Sequence, residues 1–488
     1  MMKVEPSLFM KLTFFPAAVV CLAFAGAVNA QQPKPEDLPQ APTPNPAVTQ
    51  LAGGVQVERS TPGALPLSID EAIERGLTRN VNIILSVQNQ KLVHGQVLTV
   101  KNNLLPSMTA EAKTSTQEIN LAAMGFNPST ISIPGATGGF PSIVKVDVTS
   151  AQLNVDQQLF NVPAYYLYRA AQKADQVASW EMLNQRGTVA LNVGTQYLRA
   201  VADAAQIENA RSLVKADEVA LHQAEASHEA GVGTNLDVLR ARVQLQTEQQ
   251  TLINDENVFA KDKIALNRLI GLPADQELTL TDTTPYSEFA ELPLDQAMTL
   301  AFDRRKDLRS LQAQHELADR SEKAVKWERL PSLSFGGYYG VLGETHGLYH
   351  GVFSAAGKLK FPIFEEGQLR GEREVAQAQM QGLQHQITSL KVSIEQQIRS
   401  AMLDVNAADE LVKVARSNVE LATQQLQDTT DRYAAGVDDN LPVVQAQATL
   451  AAAQSQLVET LYQYNQAKLQ LARNTGVVET QYKTYLGR

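Results

Sequence analysis

The sequence has a single cysteine, Cys21, in 488 residues, so neither a disulfide framework nor a cysteine-ligated metal can organise the fold. Basic residues are outnumbered by acidic ones, 42 to 52, and a net charge of −10 makes nucleic acid an improbable partner. Past the N-terminal region there is no uninterrupted apolar run of roughly eighteen residues, so no helix is expected to span a membrane. No H-E-x-x-H, G-x-S-x-G or P-loop pattern occurs, and no catalytic residue, cofactor or metal is expected. His346 and His350 are four apart in a non-helical stretch, where that spacing does not bring two imidazoles onto one face. Gly231 and Gly233 lack the preceding strand and the Lys-Ser pair of a phosphate loop.

Lys3 and Lys11, an apolar run from Phe14 to Ala27 and Val28-Asn29-Ala30 form the layout of a cleavable secretory signal over residues 1–30. Cleavage there would remove the one thiol, and Val20 before Cys21 argues against lipid attachment. Residues 31–66 hold eight prolines and read as a flexible lead.

What is present is a sentence said twice. Residues 67–107 align without a gap on 292–332, placing Ala72 on Ala297, Pro106 on Pro331 and Ser107 on Ser332. Further on, Ala230 to Leu236 (AGVGTNL) answers Ala435 to Leu441 (AGVDDNL), and Lys263, Leu266, Arg268 and Gly271 answer Lys468, Leu471, Arg473 and Gly476. Two copies of one structural unit follow. Each copy reads as helix, hairpin, long helix, glycine turn and helix. Copy one is 67–272, with a hairpin at 105–160, a long helix at 164–230, a turn at 231–234 and a helix at 235–271. Copy two is 292–476, with a hairpin at 330–364, a long helix at 367–435, a turn at 436–441 and a helix at 442–476. A connector, 273–291, joins them, and 477–488 is a tail. Copy one carries about twenty extra residues, in the Gly/Pro-rich stretch 121–143, where an external loop is expected.

Proline is absent from Ala164 to Leu272 and from Ile363 to Leu441, as long helices require. Ile387, Leu390, Ile394, Ile398, Ala401, Val405, Ala408, Val412, Ala415, Val419, Ala422 and Leu426 step by threes and fours, a coiled-coil-like seam rich in small residues. At about 1.5 Å per residue a long helix spans about 100 Å and each short one about 55 Å. Two short helices therefore stack to the height of one long one. The expected stacks are 235–270 with 295–328, and the helix after Gly436 with 68–104.

In the hairpins the period falls to two. Val144, Val146 and Val148, then Leu153 and Val155, then Leu359 and Phe361 alternate with polar residues, and the parity switch between Val148 and Leu153 predicts a bulge near Ser150. Aromatics make up only 6% of the chain, yet Phe335, Tyr338, Tyr339, Phe353, Phe361 and Phe364 crowd into the second hairpin, as a membrane-interface girdle would. Four strands cannot close a membrane barrel, so several chains must share one.

Together the paired L-x-x-x-x-A openings (Leu67 to Ala72, Leu292 to Ala297), the L-P-S strand starts (Leu105 to Ser107, Leu330 to Ser332), the A-G-V turns and the helix ends at Arg268 to Gly271 and Arg473 to Gly476 resemble the TolC family of outer membrane efflux channels. The resemblance implies a mainly α fold: two tandem repeats of long helices in a periplasmic α-barrel, with four strands per chain in a twelve-stranded transmembrane β-barrel of a homotrimer. It implies a passive exit duct for drugs, metals or polypeptides, placed in outer membrane lipid and partnered by a periplasmic adaptor and an inner-membrane transporter. It places adaptor contacts at the tip turns, Gly231, Val232, Gly233, Thr234, Asn235, Gly436, Val437, Asn440 and Leu441, and an acidic constriction at Asp438, Asp439 and Asp237. Some family aspartates are replaced here by Pro442 and Gln445. Three copies of Asp438 and Asp439 would form a cation-favouring ring, although Asp and Asn also serve as plain turn and cap residues. The alternative function is a soluble periplasmic coiled-coil scaffold or adaptor without a pore.

Overall fold

The structure, a computed structural model, describes residues 53–54, 60, 62–123, 142–282, 286–289, 292–438 and 440–487. The expected signal and most of the 121–143 loop lie outside the described residues. In copy one, α1 (Ile69–Arg79), α2 (Val81–Asn102), β2 (Ser107–Asn120), β3 (Ile143–Phe160), α3 (Val162–Glu229) and α4 (Asn235–Ile270) follow β1 (Leu65–Leu67). After β4 (Leu278–Leu280), copy two repeats the order with α5 (Leu294–Arg304), α6 (Lys306–Lys326), β5 (Ser332–Glu344), β6 (Tyr349–Lys360), α7 (Glu366–Ala434) and α8 (Leu441–Asn474), and α9 (Val478–Leu486) ends it. The fold is mainly α.

The long helices α3 and α7 run 68 and 69 residues without a break. Asn161 starts α3 by accepting a hydrogen bond from Ala164 N, with Pro163 in the first turn where no N–H is missed. Along α7 the sequence-read seam is the buried one: Ile387, Ile394, Ile398, Ala401, Val405, Ala408, Val412, Ala415 and Ala422 are all buried. Neighbouring helices lie side by side in a sheet of rods. In the half nearer the strands the order is α2–α3–α6–α7, and in the half nearer the glycine turns it is α4–α3–α8–α7.

Each short opening helix is broken in two, at Asn80 between α1 and α2 and at Arg305 between α5 and α6, two residues that align in the repeat. Asn80 leaves helical geometry and caps α2 by accepting from Asn82 N. These breaks correct the expected stacking. Asn80 Nδ2 donates to Leu269 O, and Gly53 O accepts from Val81 N while Gly54 N donates to Arg268 O, so α4 ends against the start of α2. In the second copy Gly476, at φ +77°, sits on the backbone of Arg304 and Arg305, so α8 ends against the start of α6. Each repeat thus stacks on itself. The break tucks the end of the incoming helix under its own repeat's outgoing helix, and helix length alone could not reveal that choice.

At mid-height the connector and tail form structure. β1 pairs in parallel with β4, Leu65 opposite Leu278, and α1 and α9 pack on α3. The hydroxyl of the fully buried Tyr197 of α3 shares its one hydrogen between Leu67 O at 2.9 Å and Asp282 Oδ2 at 2.8 Å. The largest apolar core, including Leu67, Ile73, Val193, Leu266, Tyr464 and Leu486, gathers here. Its density at the waist reflects the thinness of a one-layer helix sheet elsewhere.

The four long strands form one antiparallel sheet in the order β2–β3–β5–β6. The bulge expected near Ser150 is absent: β2 and β3 stay in register from Ser107↔Asp156 to Asn120↔Ile143, and the irregularity falls between Gln158 and Phe160 against β5. An unbroken strand keeps its pleat, so Val144, Val146 and Val148 lie on one face and Leu153 and Val155 on the other.

Candidate functional site: the two-faced sheet and the helical tips

Register assigns every strand residue to a face. One face carries Met108, Ala110, Leu153, Val155, Leu333, Phe335, Tyr339, Val341, Phe353 and Leu359; Leu153, Tyr339 and Phe353 stand in one row across three strands. The other carries Thr109, Glu111, Lys113, Gln152, Asn154, Asp156, Ser334, Lys358 and Lys360. From Leu333 to Val341 the apolar band runs about 25 Å along β5. Phe335, Tyr339 and Phe353 are exposed on the apolar face. Phe361 and Phe364 follow the end of β6 and are also exposed, Phe364 at 98%. Tyr338 departs from the girdle expectation. It is opposite Asn154 and Ser354 on the polar face, because adjacent strand residues point to opposite sides.

At the other end, each long helix terminates in a left-handed glycine, Gly231 at φ +71° and Gly436 at φ +69°. Val232 N donates to Ser227 O and Val437 N to Arg432 O, each at 3.0 Å, closing Schellman-type caps that turn the chain back. Val232 and Val437 are 84% and 66% exposed, and Leu236 and Leu441 are exposed beside them. Gly231, Thr234, Asn235 and Gly436 are likewise at the surface and Gly233 half-buried, but Asn440 is 6% exposed. Buried in this way, Asn440 presents little surface for the contact expected of it.

The acidic tip expectation changes most. Asp438 accepts a hydrogen bond from Arg432 Nε at 2.7 Å across the turn, an ion pair within one tip. Asp237 forms a capping box with Thr234: its Oδ2 accepts from Thr234 N at 3.1 Å while Thr234 Oγ1 accepts from Asp237 N at 3.2 Å. Arg240 lies 3.7 Å from the same carboxylate. Both aspartates are partnered, so neither is a bare charge, and Asp439 lies outside the described residues. The sequence reading missed Arg432, whose signal was its place six residues before Asp438 across a glycine turn.

A second acidic feature was also missed. In the α3–α4 hairpin, positions 203, 210, 217 and 224 of α3 face 262, 255, 248 and 241 of α4, seven residues apart on each helix. Three of the four layers carry carboxylates. Asp203 is pushed up to about 7 by burial and by Asp262, with Arg199 opposing, and Asp217 is pushed up to about 6 by burial and the charge of Glu248. Burial also raises Glu248 and Asp255. Oδ2 of Asp217 and Oδ2 of Asp255 have no hydrogen-bond partner, and Asp217 is only 2% exposed.

The sequence profile described as outer membrane efflux protein matches residues 73–272 and 297–477, nearly all of both repeats. The chain belongs to the outer membrane efflux protein family. Among relatives, it is 30% identical over 315 residues to the toluene efflux pump outer membrane protein TtgF of Pseudomonas putida, covering 60% of this chain and 61% of that one. It is 24% identical over 357 residues to the alkaline protease secretion protein AprF of Pseudomonas aeruginosa, covering 70% and 72%. The match thus spans about three fifths of the length of TtgF. Among solved structures, the Campylobacter jejuni CmeC outer membrane channel superposes with a TM-score of 0.71 at 14% identity, covering 84% of this chain and 86% of that one. The open state of the Neisseria gonorrhoeae MtrE channel gives 0.66 at 18%, covering 92% and 98%. These likenesses fix the fold. Family membership places the chain in the outer membrane. None of its described helices is long and apolar enough to cross a membrane.

Proposed function

We propose that this chain is the exit duct of a tripartite efflux or type I secretion system, a homotrimeric passive conduit for drugs, metals or polypeptides. One observation carries the reading: both layers end on the same two edges. The helix sheet is open at α2/α4 and at α7, and the strand sheet at β2, which follows α2, and at β6, which precedes α7. Unpaired apolar residues mark those helical edges: Leu85 and Leu92 on α2, Val243 and Ile253 on α4, Leu403, Val414 and Leu421 on α7. A neighbouring copy that meets one edge meets both, and three copies close twelve helices and twelve strands together. The lipid faces the apolar side of the strands, and the polar side lines the pore. The tips, with Val232, Leu236, Val437 and Leu441, grip a periplasmic adaptor coupled to an inner-membrane transporter that supplies the energy.

The native chain's lone cysteine lies in the expected signal, so introduced cysteines can be read cleanly. Cysteine pairs drawn from Val243 or Ile253 on α4 and Val414 or Leu421 on α7 should oxidise into covalent trimers in cells. Only monomers across the whole panel, or recovery of the chain as a soluble periplasmic monomer, would instead support a scaffold without a pore. At the tip, the Arg432–Asp438 pair makes a charge-balanced constriction. Asp438→Asn leaves three arginines uncompensated and should shift planar-bilayer selectivity toward anions; unchanged selectivity reduces the pair to a turn fastener.

A further inference from the structure

Between α2 and α3, just below the strands, lies a groove of about 500 Å³ lined by Val97, Leu98, Lys101, Tyr168, Arg169 and Lys173, with His94 and Asp175 at its other end. Lys173 is held by Glu316 on α6, and His94 stands 3.6 Å from Asp175. Neither Lys101 nor Arg169 has an ion-pair partner among the described residues. With Lys173 neutralised by Glu316 and Asp175 counted, one positive charge is left over, on a chain whose net charge is −10.

Direction and height decide what can reach it. Tyr168, Arg169, Gln172 and Asp175 precede Arg186, Gly187, Ala190 and Val193 by eighteen residues, or five helical turns, so all eight share one side of α3. Lower down that side carries α9 and α1: Arg186 pairs with Glu479, Gly187 faces Val478, and Val193 packs against Gly76. In a tunnel this is the outer side, because three sets of waist elements on the inner side would fill the bore. As for height, Lys101 is in the last turn of α2. The Arg169 backbone is about 10 Å below the start of α3, and a side chain of about 6–7 Å on a helix leans toward the N-terminus, here upward toward the strands. The exposed Leu105, Leu159 and Phe160 connect the groove to the apolar band. A lipid headgroup layer extends about 5–8 Å beyond the hydrocarbon.

We propose that this groove binds the phosphodiester headgroup of an anionic glycerophospholipid from the periplasmic leaflet, one per subunit, with Lys101 and Arg169 on the phosphate. Leu98 and Tyr168 take the glycerol end, and the acyl chains rise past Leu105 and Leu159. Long cationic side chains at a membrane edge suit this role, their stems apolar and their heads at headgroup level. The inference rests on the channel reading, since it needs the sheet to be in lipid.

The test uses the full-length channel purified in detergent, washed, and offered phosphatidylglycerol or phosphatidylcholine with the same acyl chains; retained lipid is counted by native mass spectrometry. Wild type should retain phosphatidylglycerol at least about fivefold over phosphatidylcholine, and the Lys101→Gln/Arg169→Gln double variant should retain both equally. A Lys101→Arg/Arg169→Lys exchange, which keeps the charges, should restore the preference. No preference in wild type, or a preference that survives in the glutamine variant, overturns the site. Conductance in planar bilayers, measured on the same preparations, separates the two claims: a conducting channel without the preference sinks only the lipid site, and a chain that never inserts sinks the channel.

Discussion

Replacing Asp217 by asparagine should make the protein more stable at pH 8 and progressively less so as the medium is acidified. A carboxyl held at about 6 in the fold against 3.8 in the unfolded chain disfavours folding by about 3 kcal/mol at pH 8, where it is ionised in both states. The cause is physical: Asp217 is 2% exposed, faces Glu248 and has an oxygen without a partner. Because the folded value is raised, the penalty is complete above about pH 6 and fades as pH falls toward 3.8. At pH 5 it is about half, and at pH 4 about 0.5 kcal/mol. Asparagine has the same shape and no charge, and its amide can donate to Glu248. Allowing for imperfect amide geometry, the net gain at pH 8 is about 1–2 kcal/mol. Thermal or denaturant unfolding of the detergent-solubilised protein, wild type against Asp217→Asn at pH 8, 5 and 4, measures it. A variant no more stable at pH 8, or a gain that does not shrink with acid, would refute the argument that an uncompensated buried charge resides in this seam.

Tyr197→Phe removes a buried hydroxyl that serves two acceptors at the waist; a loss of about 1–3 kcal/mol should appear in the unfolding midpoint with channel conductance intact. Leu153→Arg, in the middle of the apolar row, should cost about 2–4 kcal/mol and lower the temperature at which the assembled oligomer survives in detergent. Gly436→Val forces a β-branched residue into left-handed backbone, at about 1–2 kcal/mol, and should make the second tip the first site of limited proteolysis. Thr234→Ala, which abolishes the capping box of α4, should speed amide exchange in that helix's first turn by about fivefold or more.

The elements were legible because each had a strong local cause. Proline-free runs gave α3 and α7, the heptad of small and branched residues gave the buried face of α7, and alternation gave the strands. What stayed hidden depended on partners distant in sequence. The self-stacking of each repeat is decided by Asn80 against Leu269 and by Gly476 against Arg305, contacts with no sequence period. The Ser150 bulge was a wrong inference from parity, since a regular strand can present apolar residues on opposite faces at different heights. At the tip, the aspartates stood out by composition, but their pairing to Arg432 and Thr234 needed the turn geometry. The acidic layers of α3 and α4 were readable as a heptad in principle. Aspartate in such a position looks like a surface residue until the opposing helix is known.

That both layers finish on the same pair of rims has a genetic corollary. In the proposed ring of three, every copy contributes one left rim and one right rim, so a lesion on either spoils its ring whoever the companions are. If a rim-damaged allele is expressed equally with the intact one and copies mix at random, only about one ring in eight escapes it. Damage confined to the waist of one copy, inside that copy's own core, spreads less harm, so an allele's dominance should map where on the proposed cylinder it strikes.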